Sequence, residues 1–78
     1  MLRLIIKGNT HQACDAAMAR GIVLLNWREH NPVGSMIETI ATTNTAETLV
    51  QKWFVEPAES ELGFGYPIGT LLWYGEAQ

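Results

Sequence analysis

Twice along this chain an Asn-Thr pair stands between a run of strand-type residues and a run with helical spacing, at Asn9-Thr10 and again at Asn44-Thr45. Asparagine and threonine side chains accept hydrogen bonds from the exposed N–H groups of a first helical turn, so each pair marks a helix start. In both places a residue able to close a capping box follows three positions after the asparagine, Gln12 in one case and Glu47 in the other. The two starts lie 35 residues apart, the signature of two related half-units.

The segments around these starts fix the order of elements. Residues 1–7 alternate Leu2, Leu4 and Ile6 with Arg3, Ile5 and Lys7, the period of a strand with one better buried face. Residues 10–20 read as a helix rich in Ala13, Ala16, Ala17 and Ala19, which with Cys14 and Met18 give a face able to lie close to a sheet. Arg20 suits the negative end of the helix dipole, and Gly21 the left-handed position beyond it. Residues 22–30, with Val23, Leu24, Leu25 and Trp27, form a second strand, and Asn31-Pro32-Val33-Gly34 carries turn chemistry. Residues 35–43 resume as a strand with β-branched Ile37, Thr39, Ile40, Thr42 and Thr43, so a hairpin is expected. Ala46, Leu49, Val50, Trp53 and Phe54 share one helical face, and that helix ends before Pro57. A long loop over residues 56–69 leads to a last strand, residues 70–74, with Leu71 and Trp73 on one side and Leu72 and Tyr74 on the other. The order is β-α-β-β-α-β. Its packing solution is an α+β, ferredoxin-like fold, two helices on one face of a four-stranded antiparallel sheet with strand order 4-1-3-2. Such a sheet leaves its second face and both edge strands without helical cover.

At 78 residues the chain is expected to form a single α+β domain, residues 1–78, with a thin core that invites a partner. Apolar residues at 47% and charged residues at 17% exclude wholesale disorder. The lone Cys14 makes no internal disulfide, and no zinc-ligand spacing occurs. There is no apolar run of membrane-spanning length and no signal-peptide pattern, so no membrane association and a cytoplasmic location are expected. Net charge is −3 and unevenly spread. Up to Ala46, Arg3, Lys7, Arg20 and Arg28 face Asp15, Glu29 and Glu38, a balance of +1; beyond it Lys52 faces Glu47, Glu56, Glu59, Glu61 and Glu76, a balance of −4. Without a cluster of Lys and Arg, direct nucleic-acid binding is not expected.

Candidate chemistry is sparse. His11 and Cys14 are three apart on one helix and could pair, and His30 falls near the hairpin turn, but nothing is placed to orient a histidine. The plain reading makes Cys14 a small buried hydrophobe. Glu56, Glu59 and Glu61 lack the spacing of a calcium loop, and Gly63, Gly65 and Gly69 do not precede a helix, so neither a metal nor a phosphate site is expected and no cofactor is implied. The aromatic residues say more. Trp53 and Phe54 belong to the core face of the second helix. Trp27, Trp73 and Tyr74 lie on predicted edge strands, where adjacent side chains point to opposite faces, so one large ring must leave the helix-covered side. Two readings follow: the loop over residues 56–69 folds back and covers that ring, or with Tyr66 these residues make an aromatic surface of the composition found in interface anchors.

The closing pattern, a helix ending in Trp53-Phe54 and Glu56 followed by Tyr66-Pro67-Ile68-Gly69-Thr70-Leu71-Leu72-Trp73-Tyr74, resembles the C-terminal half of many small phage and prophage proteins. The resemblance covers about the last 30 residues. Some small proteins of that origin are anti-CRISPR inhibitors, and this chain is similar to them in format, in size, acidity and α+β composition. The resemblance implies a non-enzymatic inhibitor or adaptor acting on a host defence complex, and it carries over no catalytic residue. In that reading Glu56, Glu59 and Glu61 meet the basic nucleic-acid groove of a CRISPR effector complex, while Tyr66, Trp73, Tyr74 and Trp27 supply contact area. The alternative is a dimeric ferredoxin-like sensor or enzyme with a small-molecule pocket at the subunit joint. A homodimer is expected under either reading, because exposed strands at a sheet edge are templates for pairing.

Overall fold

A computed structural model of the protein describes residues 1–29, 36–42, 44–56 and 66–76. The expected turn at Asn31-Pro32-Val33-Gly34, together with His30, Glu59 and Glu61, lies outside the described residues. The elements are β1 (Leu2–Lys7), α1 (Thr10–Met18), β2 (Leu24–Glu29), β3 (Met36–Ala41), α2 (Glu47–Val55) and β4 (Leu71–Glu76). The four strands form one antiparallel sheet in the order β2-β3-β1-β4, the expected ferredoxin-like arrangement. α1 lies over the β2 and β3 half of the sheet and α2 over β4.

The alternation in β1 does what its period implies. Leu2, Leu4 and Ile6 are buried beneath the helices with Ile37 and Ala41 of β3 and Leu71 of β4, whereas Arg3, Ile5 and Lys7 point to the uncovered face. From the helices, Ala13, Ala17, Val50 and Trp53 complete the core, together with Ile22. The fully buried alanines are what let α1 sit close to the strands, since a longer side chain at either position would hold the backbone away from the sheet.

Both ends of α1 follow from its sequence. The Gln12 N–H donates to Asn9 Oδ1 and the Asn9 N–H to Gln12 Oε1, each at 2.9 Å, so the capping box is complete. At the other end the Ile22 N–H reaches the Ala17 carbonyl and the Gly21 N–H the Met18 carbonyl, with Gly21 at φ +77°, the left-handed geometry of a Schellman close. The helix stops at Met18, two residues before Arg20, whose Nη1 turns back to donate to the Ala16 carbonyl at 2.7 Å.

The second helix start departs from expectation. No capping box forms between Asn44 and Glu47: the N-cap is Ala46, without a side-chain hydrogen bond. The preceding residues are used to leave β3 instead. The Thr45 N–H donates to the Thr42 carbonyl at 3.0 Å, and the two hydroxyls lie 3.1 Å apart, so the chain completes a turn before the helix begins. Glu47 still stands in the first turn, where a negative charge is favoured.

Both edge strands are irregular, and this changes which side chains face which way. In β2, Asn26 and Trp27 together oppose the single residue Thr39; Asn26 takes φ 52°, and the Thr39 hydroxyl fills the bulge by donating to the Leu25 carbonyl at 2.7 Å. In β4, Leu72 is the extra residue between Trp73, which pairs with Ile5, and Leu71, which pairs with Ile6. Leu71 and Tyr74 therefore share the helix-covered side, in place of the expected pairing of Leu72 with Tyr74.

The two asparagines should respond differently to truncation. Asn9→Ala removes a complete capping box and should cost about 1 kcal/mol, a fall of roughly 4–8 °C in Tm for a chain of this size. Asn44→Ala, which removes no cap, should stay within about 0.5 kcal/mol by thermal unfolding.

Candidate functional site

The register of the sheet builds the uncovered face row by row. Leu25, Ile40, Arg3 and Gly75 stand opposite one another in one row, and Arg28, Glu38, Ile5 and Trp73 in the next, with Met36 and Lys7 beyond. Side chains in neighbouring rows then meet. One amino nitrogen of Arg3 and one of Arg28 each lie 3.5 Å from a different oxygen of Glu38, whose side chain keeps only 17% of its surface exposed. The Arg3 guanidinium also lies over the Trp73 ring, 5.1 Å from its centroid, a cation–π contact. Contacts thus run from β2 to β4 through Arg28, Glu38, Arg3 and Trp73.

Gly75 is the reason Trp73 can lie where it does. A Cβ at position 75 would come within 2.6 Å of the indole ring, so the ring occupies the space that any other residue would fill. Trp73 is thereby held across its own strand, 41% exposed, with half-buried Ile5 and Ile40 and the 43%-exposed Leu25 on the same face. Between the strands Arg3, Asn26, Arg28, Glu38 and Ile40 border a notch of about 240 Å³.

The other residues singled out from sequence are placed apart from this face. Tyr74 is on the helix side, edge-on to Phe54 with ring centroids 5.3 Å apart. Trp27 is on that side too but at the opposite edge, where it borders an apolar cavity with Cys14, Met18, Val23 and Leu24. Tyr66 is exposed in the segment leading to β4. Glu56 is committed within its own chain: Arg20 donates to it from Nε at 2.9 Å and Nη2 at 2.5 Å while lying over the Trp53 ring. Trp53 in turn donates from Nε1 to the Gly69 carbonyl, so α1, α2 and the approach to β4 are joined through one arginine and one tryptophan. Hydrogen bonding from Arg20, helped by the positive charges of Arg20 and Lys52, holds the Glu56 carboxyl below its usual range despite some desolvation.

Of the residues weighed for cysteine–histidine chemistry, His11 and Cys14 are described and His30 is not. His11 sits 3.9 Å from the Asp15 carboxylate, and burial followed by the Asp15 charge pushes the Cys14 thiol up, the opposite of what a nucleophile needs. Among the described residues no three of His, Cys, Asp and Glu come together as a metal site would require, and no helix is long and apolar enough to cross a membrane. The group that sequence reasoning overlooked is Arg3, Lys7, Arg28 and Glu38. Its signal was present in β1, where Arg3 and Lys7 fall out of phase with Leu2, Leu4 and Ile6.

Two substitutions check this geometry. Glu56→Gln removes the bidentate pair with Arg20, which is partly exposed and so contributes under about 1 kcal/mol. Because the Glu56 pKa is lowered on folding, its stabilisation is present above the ordinary glutamate pKa of about 4.3 and lost as pH falls through the lower folded value. Urea unfolding should show the stability gap between native and variant chains closing from pH 7 to pH 3; a gap unchanged with pH would contradict the assignment. Gly75→Ala should displace the Trp73 ring, seen as loss of the ring-current shifts that the indole imposes on Arg3 side-chain protons, with Tm lowered by only a few degrees because the displaced ring is exposed.

Comparison with known proteins gives no matching family model, no similar curated protein and no similar solved structure.

Proposed function

We propose that this chain is a non-enzymatic binding module, an adaptor or inhibitor of another protein, that docks its partner on the uncovered face of the sheet. The observation that carries the reading is Trp73, fixed between Gly75 and Arg3 and 41% exposed on a face without helical cover. Tryptophan and arginine dominate the binding energy of protein interfaces. A ring already held by its own chain loses little further freedom on binding, which lowers the entropic cost of association. Ile5, Ile40 and Leu25 supply apolar area around it. The likeness of the C-terminal half to small phage proteins favours an inhibitor of a host defence complex, such as a CRISPR effector, among partner-binding roles. Glu56 is held by Arg20, which moves the weight of the reading from the acidic segment to the sheet face. A dimer closed through two such faces would set Arg3, Lys7 and Arg28 against their own copies, so a pocket at a subunit joint has less support.

A photo-crosslinking residue tests the face. Placed at Leu25, exposed on the same face as Trp73, it should capture a discrete host protein, and placed at Thr48, exposed on α2, it should not. Trp73→Ala should weaken binding of the captured protein by about tenfold or more while shifting Tm by only a few degrees. Capture from Thr48 alone, or undiminished binding by Trp73→Ala, would overturn the proposal.

A further inference from the structure

Resting on the reading that the open face binds a protein, we infer that the partner presents an acidic strip there, with one carboxylate seated in the notch between Arg3 and Arg28.

The first ground is how charge divides between the two sides of the molecule. Among the described residues, Arg3, Lys7 and Arg28 on the uncovered face stand against Glu38 alone, a balance of +2. The remaining described residues carry Asp15, Glu29, Glu47, Glu56 and Glu76 against Arg20 and Lys52, a balance of −3. The exposed charge of the face is more cationic than the count. Glu38 is 17% exposed and lies between the two guanidiniums, whereas the Arg3 and Arg28 side chains are 45% and 76% exposed. A partner arriving at the sheet meets guanidinium groups although the chain as a whole is at −3.

The second ground is the shape of the notch. Glu38 takes one amino group from each arginine, and a guanidinium has five N–H donors, so donors remain on both sides of the opening. The left-handed bulge at Asn26 brings that residue to the border, adding an amide to the two guanidiniums. About 240 Å³ over Ile40 admits the end of an aspartate or glutamate side chain. Charge-assisted hydrogen bonds from paired arginines suit a planar carboxylate, and Trp73 and Leu25 meet the apolar side chains flanking it.

A polynucleotide fits this face less well. Three cations, one of them offset by Glu38, form no continuous track for a phosphate backbone. The Arg3 guanidinium already lies over the Trp73 ring, where a base would have to stack. A second copy of the chain meets like charge if it approaches sheet to sheet.

The test follows the Trp73 indole and arginine Nε–H signals of the full isotope-labelled chain by NMR at about 0.15 M salt. Three probes are titrated: a peptide of about ten residues alternating glutamate and leucine, its glutamine counterpart, and a short oligothymidylate. The acidic peptide should shift the Arg3, Arg28 and Trp73 signals saturably, and the glutamine peptide should bind about tenfold more weakly or less. Arg28→Gln, at a largely exposed position that spares the fold, should cut the affinity of the acidic peptide by about threefold to tenfold, and Lys52→Gln on α2 should leave it unchanged. Equal binding of the two peptides would overturn the acidic strip and leave the open-face reading standing. Preferential binding of the oligothymidylate would assign the face to nucleic acid, and shifts of the same signals on concentrating the protein alone would assign it to a second copy; either overturns the inference. No shift with any probe would overturn the carboxylate seat, and the crosslink from Leu25 then judges the face by itself.

Discussion

Leu4 and Ile6 lose all contact with water because α1 and α2 lie over them, while Arg3, Ile5 and Lys7 on the same strand have no such roof. Two helices of nine residues each are enough to shelter one side of four strands and no more. Among the described residues, the second side is settled by side chains alone. The solution is a lattice of mixed character: a carboxylate between two guanidiniums, one guanidinium over an indole, and the indole in the space a glycine vacates. Each contact is modest by itself, since a long exposed ion pair or a surface cation–π contact contributes about 1 kcal/mol or less. Their joint effect is to fix positions. Glu38 holds Arg3 and Arg28 apart at a set spacing, and Arg3 lies over the indole of Trp73, whose ring edge meets Gly75. Order without depth is poor at stabilising a core and well suited to a surface that must present groups in register.

The opposite side shows the same economy of parts. Arg20 closes the end of α1 through the Ala16 carbonyl, reaches α2 through Glu56, and covers Trp53, whose indole N–H holds the Gly69 carbonyl. Gly69 sits at φ +90°, where a Cβ would come within 3.2 Å of the Ala16 Cβ, so the approach to β4 lies close against α1. A small core leaves the two helix ends and the last strand few apolar contacts with one another, and this polar and aromatic junction links them. Glu56 therefore serves the fold.

The order of elements was legible because it rests on local patterns. Alternation in β1, the capping box at Asn9 and the left-handed glycine after α1 each involve residues a few positions apart. The misreadings share a cause of another kind. The pair Asn44 and Glu47 has the same spacing as Asn9 and Gln12, but the N-cap falls on Ala46, two residues past Asn44, which puts Glu47 at the first helical position and not the third. Here Thr42 and Thr45 first close a turn. In β4 a strict period of two assigns Leu72 and Tyr74 to one side, and one extra residue at Leu72 undoes it. The site was half visible. Strand alternation announces that one large ring must leave the covered face, and Trp73 does; its partners Arg3 and Glu38 come from strands distant in sequence and are joined only by register. The link between Arg20 and Glu56 spans 36 positions and has no local signature at all.

The bulges bear on how the molecule meets others. An edge strand pairs with a second chain when its free N–H and C=O groups fall at regular intervals along a flat backbone. In β2 the left-handed Asn26 breaks that regularity in the middle of the strand, and in β4 Leu72 does so near its start. The edges expected to template a homodimer are thus the places where the backbone is least uniform. A sheet face needs no such regularity, because it binds through side chains whose spacing is set by the strands beneath them. With both edges interrupted and one face roofed by helices, the face carrying Arg3, Arg28 and Trp73 combines exposed apolar area with charge whose spacing the strands beneath it set.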